Sequence, residues 1–107
     1  MKKKYIVKEN KDFVEIINKG KTVKGKSFIV HFKDNDLKYD RFGISVSKKL
    51  GNAVFRNKYK RKIRSIIDNY KKYYNNRKDY IIILKRSGTE RSFQELEIEL
   101  SKLLKNE

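Results

Sequence analysis

The chain has 107 residues, a length that accommodates one small domain with one hydrophobic core. Its 29 lysines and arginines outnumber 13 acids, and the net charge of +16 predicts a polyanionic partner, either a nucleic acid or an anionic membrane surface. It lacks cysteine, which excludes disulfides and thiolate metal sites, and no apolar run approaches the roughly 20 residues of a membrane-spanning helix, so we expect a cytoplasmic protein without membrane partners.

The first third of the chain predicts a helix followed by a strand and a turn. The helix is expected over residues 11–19, with Asn10 as its N-cap and Gly20 at its end. Residues 27–32 are mostly β-branched and aromatic, which favours a strand. The polar residues 34–36 that follow are typical of a turn.

Residues 41–47 alternate between apolar side chains and small or polar ones, which is the period of a half-buried strand. The apolar face holds Phe42, Ile44 and Val46. The opposite face holds Arg41, Gly43, Ser45 and Ser47. The strand therefore presents a small, polar surface on the side away from the core.

A long helix is predicted over residues 52–74, with Asn52 as its N-cap. At helical spacing, its apolar side gathers Tyr59, Ile63, Ile66, Ile67, Tyr70 and Tyr74. A basic row at i, i+4 and i+8 follows the edge of that stripe and consists of Arg56, Lys60 and Arg64, with Asn57 and Arg61 beside it. One side of this helix would face the core and the other would carry positive charge.

The last third of the chain predicts a strand and a final helix. The nearly continuous apolar run 79–84 is typical of a strand covered on both faces, and Ser87-Gly88 indicates a turn. Ser92 and Glu95 fit a capping box. The helix that it opens has an inner side of Phe93, Leu96, Leu100, Leu103 and Leu104. The order α-β-β-α-β-α predicts an α/β two-layer sandwich with a mixed sheet, in a single domain over residues 1–107.

The positive charge is concentrated in the middle of the sequence. Residues 41–67 contain nine bases and no acid, whereas residues 88–107 contain five acids and three bases. Within 48–64, arginines offer planar donor forks that match phosphate oxygens, and a helix would fix their spacing. Gly51 permits a tight turn before the helix, whose exposed amides favour anions. The segment predicts an RNA-binding surface. The alternative is that these charges only form the solvent-exposed face of a basic protein and bind no partner.

The segment 48–64 resembles the signature of the ribonuclease P protein family. It has a basic loop and a glycine, then Ala53-Val54, Arg56-Asn57, Lys60-Arg61 and Arg64 on one helix. Other matching positions are Phe13 with Gly20, the strand at Phe28, the segment 42–49 and Asp79-Tyr80-Ile81. The resemblance therefore extends from about residue 5 to about residue 104.

The resemblance implies a role in tRNA maturation. In that family the catalyst is an RNA subunit that uses metal ions, and the protein assists removal of the 5′ leader from precursor tRNA and broadens the range of substrates. The expected partners are the ribonuclease P RNA and precursor tRNA. The resemblance further implies no cofactor bound by the protein alone, Mg²⁺ in the complex, a monomeric free protein and a left-handed β-α-β crossover, against the ordinary right-handed preference.

Residue by residue, the resemblance implies two binding surfaces. The surface for the catalytic RNA comprises Lys48, Lys49, Asn52, Arg56, Asn57, Lys58, Lys60, Arg61 and Arg64. The cleft for the leader comprises Phe13, Ile17, Ile29, His31, Ser45 and Ser47. Lys58 replaces a usual arginine, which removes bidentate geometry. Ile17 and His31 occupy positions that are often aromatic, so we expect weaker stacking of leader bases, or stacking on His31.

Other roles are less well supported by the residues. His31 is the only histidine and has no nucleophile or carboxylate at a recognisable spacing, which argues against catalysis by the protein. Asp34, Asp36 and Asp40 could hold Mg²⁺, although acids of a turn are the simpler interpretation. A structural RNA-binding protein, such as a ribosomal protein, stays open as an alternative. A DNA-binding regulator would need a helix-turn-helix pattern, which the flanking strands fit poorly.

Overall fold

Four strands and three α-helices, separated by short 3-10 turns, make up residues 2–70 and 76–105, the part of the chain that this computed structural model describes. The helices are α1 (Asn10–Lys19), α2 (Ala53–Tyr70) and α3 (Phe93–Lys105). The strands are β1 (Lys21–Lys24), β2 (Phe28–Asp34), β3 (Arg41–Ser45) and β4 (Lys78–Leu84). The 3-10 turns are Lys3–Tyr5, Lys48–Leu50 and Arg86–Glu90.

The strands form one mixed sheet in the order β1-β2-β4-β3. β2 pairs antiparallel with β1 and with β4, whereas β3 and β4 are parallel and are connected through α2. The predicted mixed sheet and its strand–helix–strand unit are confirmed. β1 was not predicted, because its sequence Lys-Thr-Val-Lys has one apolar residue; pairing with β2 supplies its stability instead.

One face of the sheet packs against α2 and α3 and forms the main core. Phe28, Val30, Tyr80 and Ile82 point into it, and the rings of Tyr80 and Phe42 stack with centroids 5.1 Å apart. The helices contribute Tyr59, Ile63, Ile66, Ile67 and Tyr70 from α2, and Leu96, Leu100, Leu103 and Leu104 from α3. These predicted inner residues are confirmed, with Phe93 only partly buried; Tyr74 lies outside the described residues.

The buried stripe on α2 fixes the rotation of that helix about its axis. Ile63, Ile66 and Ile67 are at most 1% exposed. Burial of each such side chain contributes about 1.5–3 kcal/mol, considerably more than any contact of a solvated lysine. The direction of the basic row on α2 is therefore set by the apolar core and not by the charges themselves.

The opposite face of the sheet is covered in part by α1. Ile16 of α1 packs with Val7 and with Ile81 of β4, and Phe13 and Ile83 are partly buried beside them. β4 is therefore buried on both faces, as its apolar sequence predicted. The predicted α/β class is confirmed, with α2 and α3 on one face and α1 on part of the other.

The predicted caps of two helices are present. The side-chain oxygen of Asn52 accepts a hydrogen bond of 2.9 Å from the backbone N–H of Phe55. Ser92 and Glu95 form the reciprocal bonds of a capping box, at 3.1 and 3.2 Å. The backbone and hydroxyl bonds from Ser92 lower the pKa of Glu95 below its ordinary value.

One local prediction needs correction. Asn10 is the first residue of α1 and not its N-cap, because Glu9 is the extended residue before the helix and makes no side-chain cap bond. The turn predicted at Ser87-Gly88 is confirmed, as part of the 3-10 turn Arg86–Glu90. Within the described residues, no helix combines the length and the apolar character needed to cross a membrane.

Candidate nucleic-acid interface

The outer side of α2 carries the predicted basic row. Arg64, Asn57, Lys58 and Arg61 are exposed, and Arg56 and Lys60 are half-buried. The Arg56 side chain also donates a 3.4 Å hydrogen bond to the Asn52 carbonyl. In residues 2–70 and 76–105, none of the cations of this row pairs with a carboxylate. The row therefore presents uncompensated charge to solvent, as an RNA-binding surface requires.

The loop before α2 places two further lysines beside the start of that helix. Lys48 and Lys49 are exposed on the 3-10 turn, and the Ser47 hydroxyl accepts a 3.2 Å bond from the Lys49 amide. Gly51 has an extended backbone, with φ of 169°, so a tight turn is not the reason for glycine here. A Cβ at position 51 would lie 2.5 Å from the Phe55 ring, and close packing is therefore what requires glycine.

Arg86 joins this surface, although sequence reasoning did not identify it, whereas the neighbouring Lys85 reaches the turn between β1 and β2. Arg86 donates a 3.0 Å hydrogen bond to the Lys49 carbonyl, and the Lys85 ammonium donates one of 3.2 Å to the Gly25 carbonyl. Because β3 and β4 are parallel, the residues that follow both strands meet at one edge of the sheet. The pair of bases Lys85-Arg86, directly after the apolar run 79–84, was the signal that could have revealed Arg86.

Sulfate at low millimolar concentration is expected to raise the melting temperature of the protein. The unpaired cations repel one another in the native state, and an anion that binds them there shifts the equilibrium towards folding. Thermal scans in sulfate and in chloride of matched ionic strength would separate binding from screening. Equal midpoints in the two salts would contradict anion binding by the native protein.

A second surface lies on the sheet face that α1 covers only in part. The strand register places Ile29 of β2 beside Ile83 of β4, and Ile83 beside Ser45 of β3. Lys24 of β1 continues this row next to Ile29, and His31 lies on the same face two residues further along β2. The predicted residues Ile29, His31 and Ser45 thus share one face of the sheet, where the floor of the cleft was predicted.

α1 forms the wall of this cleft. The ring of Phe13 lies against Gly43 on β3, and Ile17 lies one helical turn further along the same side of α1. Ile17 is 39% exposed and Phe13 is half-buried, so both present apolar surface to a ligand. The predicted strand 41–47 is too long, because β3 ends at Ser45 and Ser47 belongs to the loop before α2; the place of Ser47 in the cleft stays a prediction.

His31 is a neutral ring at the floor of the cleft. Its Nδ1 atom lies 2.9 Å from the Thr22 hydroxyl. Partial burial, and secondarily the charge of Lys24, lower the pKa of His31 below its ordinary value of 6.5. At neutral pH the ring therefore offers a flat, uncharged face, which is suited to stacking with a base.

Acidification is expected to reduce the stability of the protein through His31. Because its folded-state pKa is the lower one, the unfolded chain binds more protons between the two pKa values, and stability rises with pH in that window. The stability that depends on His31 is fully present above the ordinary pKa of that residue, and it is lost as the pH falls through the folded-state pKa. Urea unfolding of wild type and His31→Gln across about pH 5 to 7.5 checks this, since the variant should show a smaller pH dependence.

Asp40, the last acid before β3, serves the fold. The Asp40 carboxylate accepts hydrogen bonds from the backbone amides of Asn76 and Lys78, the shorter being 2.8 Å. Burial raises the pKa of Asp40 above its ordinary value, although these bonds oppose the shift. Among the described residues, no group of three or more His, Cys, Asp or Glu is arranged to hold a metal ion. The contacts of Asp40 favour a structural role over Mg²⁺ binding.

Comparison with protein families identifies the relatives of the chain. The family model described as Ribonuclease P matches residues 1–107. The ribonuclease P protein component of Mycoplasma mycoides subsp. mycoides SC is 46% identical over 106 residues, which cover 98% of this chain and 97% of the relative. The match therefore includes both surfaces.

Solved structures agree with the fold as well as the sequence. The RNase P protein of Staphylococcus aureus superposes with a TM-score of 0.88 at 39% identity, covering 95% of this chain and 94% of that one. The RNase P protein of Thermotoga maritima gives a TM-score of 0.87 at 30% identity, covering 94% and 96%. These similarities extend over the sheet and all three α-helices.

Proposed function

This chain belongs to the ribonuclease P protein family, and we propose that it binds the catalytic RNA through the basic face of α2 and the 5′ leader of precursor tRNA in the cleft beside α1. It is a subunit of ribonuclease P, the tRNA 5′-maturation endoribonuclease, and works with the ribonuclease P RNA on precursor tRNA. The structural RNA-binding alternative is not favoured, because the family match covers the whole chain.

The observation that carries the proposal is that one strand connects the two surfaces. β3 carries Ser45 of the proposed cleft floor, and Lys48 and Lys49, at the start of the basic face, follow three and four residues later. A single strand of leader that lies in the cleft would therefore leave it next to the bound catalytic RNA. This adjacency is what an accessory subunit needs in order to present a leader to an RNA catalyst.

The side chains of both surfaces fit a division of labour in which RNA performs the cleavage. The surfaces consist of cations, amides, hydroxyls and apolar groups, whereas Mg²⁺ prefers carboxylate oxygens and phosphates. We propose that the protein alone binds no cofactor and that Mg²⁺ is held in the RNA–protein complex. We further propose a cytoplasmic protein that is monomeric when free, because a net charge of +16 opposes self-association.

The first test is a cleavage assay at low Mg²⁺ with a bacterial ribonuclease P RNA, precursor tRNA and this protein. Cleavage at the mature 5′ end should be stimulated only when RNA and protein are both present. Controls contain protein alone and RNA alone. Binding to the RNA without any stimulation would contradict the proposed subunit role.

The leader cleft is tested through Phe13. Phe13→Ala should lower the affinity for precursor tRNA relative to mature tRNA by about 10-fold, because an aromatic stacking contact of 1–3 kcal/mol is lost. Val14→Ala is the matched control, since Val14 is the next residue on α1 and its side chain is 55% exposed. Equal effects of the two substitutions would remove Phe13 from the proposed leader site.

A further inference from the structure

We infer that Gly43 is a positioning residue that sets where the Phe13 ring lies and thereby how strongly the protein distinguishes substrates that carry a leader. The inference rests on the proposed leader cleft. Gly43 has no side chain of its own, and it would affect substrate selection through the ring of Phe13 on α1.

Space, and not backbone conformation, is what requires glycine at position 43. No glycine in the described part of the chain has a φ in the left-handed region, so an L residue could adopt the backbone of Gly43 without strain. A Cβ at this position would lie 2.6 Å from Phe13 Cζ and 3.1 Å from Phe13 Cε1. It would also lie 2.8 Å from Ile81 Cδ1. Ordinary carbon contacts need about 3.5–4.0 Å, so both Phe13 and Ile81 would have to move.

Of these two neighbours, the ring of Phe13 is the one that can move far, whereas Ile81 can shift only its terminal methyl group. Ile81 is fully buried and packs with Val7 and Ile16, so a large displacement of its side chain would disturb the smaller core cluster. Phe13 is only half-buried, and the atoms nearest to Gly43 are at the far end of its ring. A methyl group at position 43 would therefore push the ring away from the sheet by about 1 Å, the shortfall from an ordinary contact.

Displacement of the ring changes the surface on which a leader base would stack. The row Gly43–Ile81–His31 runs beneath α1, so the ring of Phe13 and the ring of His31 stand on the same face of the sheet. With Gly43, the end of the Phe13 ring lies against β3. With alanine at position 43, the ring of Phe13 would lie farther from the sheet.

Gly43→Ala is expected to lower the affinity for precursor tRNA relative to mature tRNA by about 5-fold, less than the loss expected for removal of the ring. Affinity for the catalytic RNA should stay at the wild-type value, because Gly43 lies away from the α2 surface. Gly88→Ala is the matched control: Gly88 is also buried, and a Cβ there would lie 2.7 Å from Leu84 and 2.9 Å from the Ser27 carbonyl. That variant should lose stability but keep the affinity ratio.

A double-mutant cycle separates positioning from general damage. In a Phe13→Ala background, Gly43→Ala should have no further effect on the affinity ratio, because the ring through which it acts is absent. A further loss of the same size in that background would overturn the inference. If Phe13→Ala itself leaves the ratio unchanged, the proposed leader cleft fails and this inference fails with it; if only Gly43→Ala is without effect, the cleft stands and the positioning role is wrong.

If Gly43→Ala fails to fold, a second variant still tests the role assigned to the Phe13 ring. The double variant Phe13→Leu with Gly43→Ala lacks the ring end that obstructs the new methyl group, so it should melt at a higher temperature than Gly43→Ala alone. A double variant that stays unfolded would show that the contact with Ile81 dominates, and this would overturn the role assigned to the ring.

Discussion

Replacement of both Arg56 and Arg64 by alanine is expected to lower the affinity for ribonuclease P RNA by about 100-fold. Both side chains belong to the basic row on α2, and neither pairs with a carboxylate within the described residues. A charge-assisted hydrogen bond contributes about 1.5–3 kcal/mol, so the loss of two corresponds to at least two orders of magnitude. The slope of log affinity against log salt should also become shallower by about 1.5, because fewer counterions are released.

Binding titrations over a range of salt concentrations check this prediction. The matched control is the pair Lys102→Ala and Lys105→Ala on α3, which removes the same charge from a different helix. If the α3 pair weakens binding as much as the α2 pair, the affinity depends on total charge and not on the row. The free energy of unfolding should be unaffected by the α2 pair, since Arg64 is exposed and Arg56 half-buried.

Asp79→Ala is expected to reduce the free energy of unfolding by about 2–3 kcal/mol. Arg41 on β3 donates to both oxygens of the Asp79 carboxylate on β4, at 2.9 and 2.6 Å, and Asn35 donates a third bond of 2.9 Å. Hydrogen bonding to Asp79 raises the pKa of Arg41. Removal of one partner of a buried pair costs about 3–5 kcal/mol, and this is reduced here because the Arg41 side chain is 25% exposed.

Urea unfolding at a fixed salt concentration measures this loss. Asp36→Ala is the matched control, because it changes the net charge equally at an exposed position near Asp79 in the same pocket. A similar loss in both variants would mean that the added positive charge, and not the ion pair, is responsible. Recovery of affinity for RNA at high protein concentration would show that the Asp79 variant still folds when its partner is present.

Local patterns in the sequence were sufficient for most of the helices and strands. The apolar stripe on α2, the cap at Asn52 and the capping box at Ser92 depend on residues within one or two turns of one another. Such helix stripes and caps can be predicted from the sequence, because the residues that form them are close to one another along the chain. β1 carries no such signal and exists because β2 provides a partner.

The parts of the site that sequence reasoning missed depend on contacts between distant segments. Arg86 reaches the basic loop because β3 and β4 end at the same edge of the sheet. Gly51 was assigned to a turn, whereas the space taken by the Phe55 ring is its physical reason. Ser47 follows the alternation of β3 in sequence, but the strand ends before it. Each case requires the register of the sheet or the direction of a ring, which one sequence does not contain.

The short connection between β3 and α2 also has a geometric consequence. Ser45 is fixed by its place beside Ile83, and the N-terminus of α2 is fixed by the buried stripe of that helix. The seven residues 46–52 that link them include a 3-10 turn and the close packing at Gly51, so the link cannot lengthen without disturbing one of the two ends. The fold therefore sets the distance between Ser45 in the proposed leader cleft and the N-terminus of α2 in the proposed RNA-binding face.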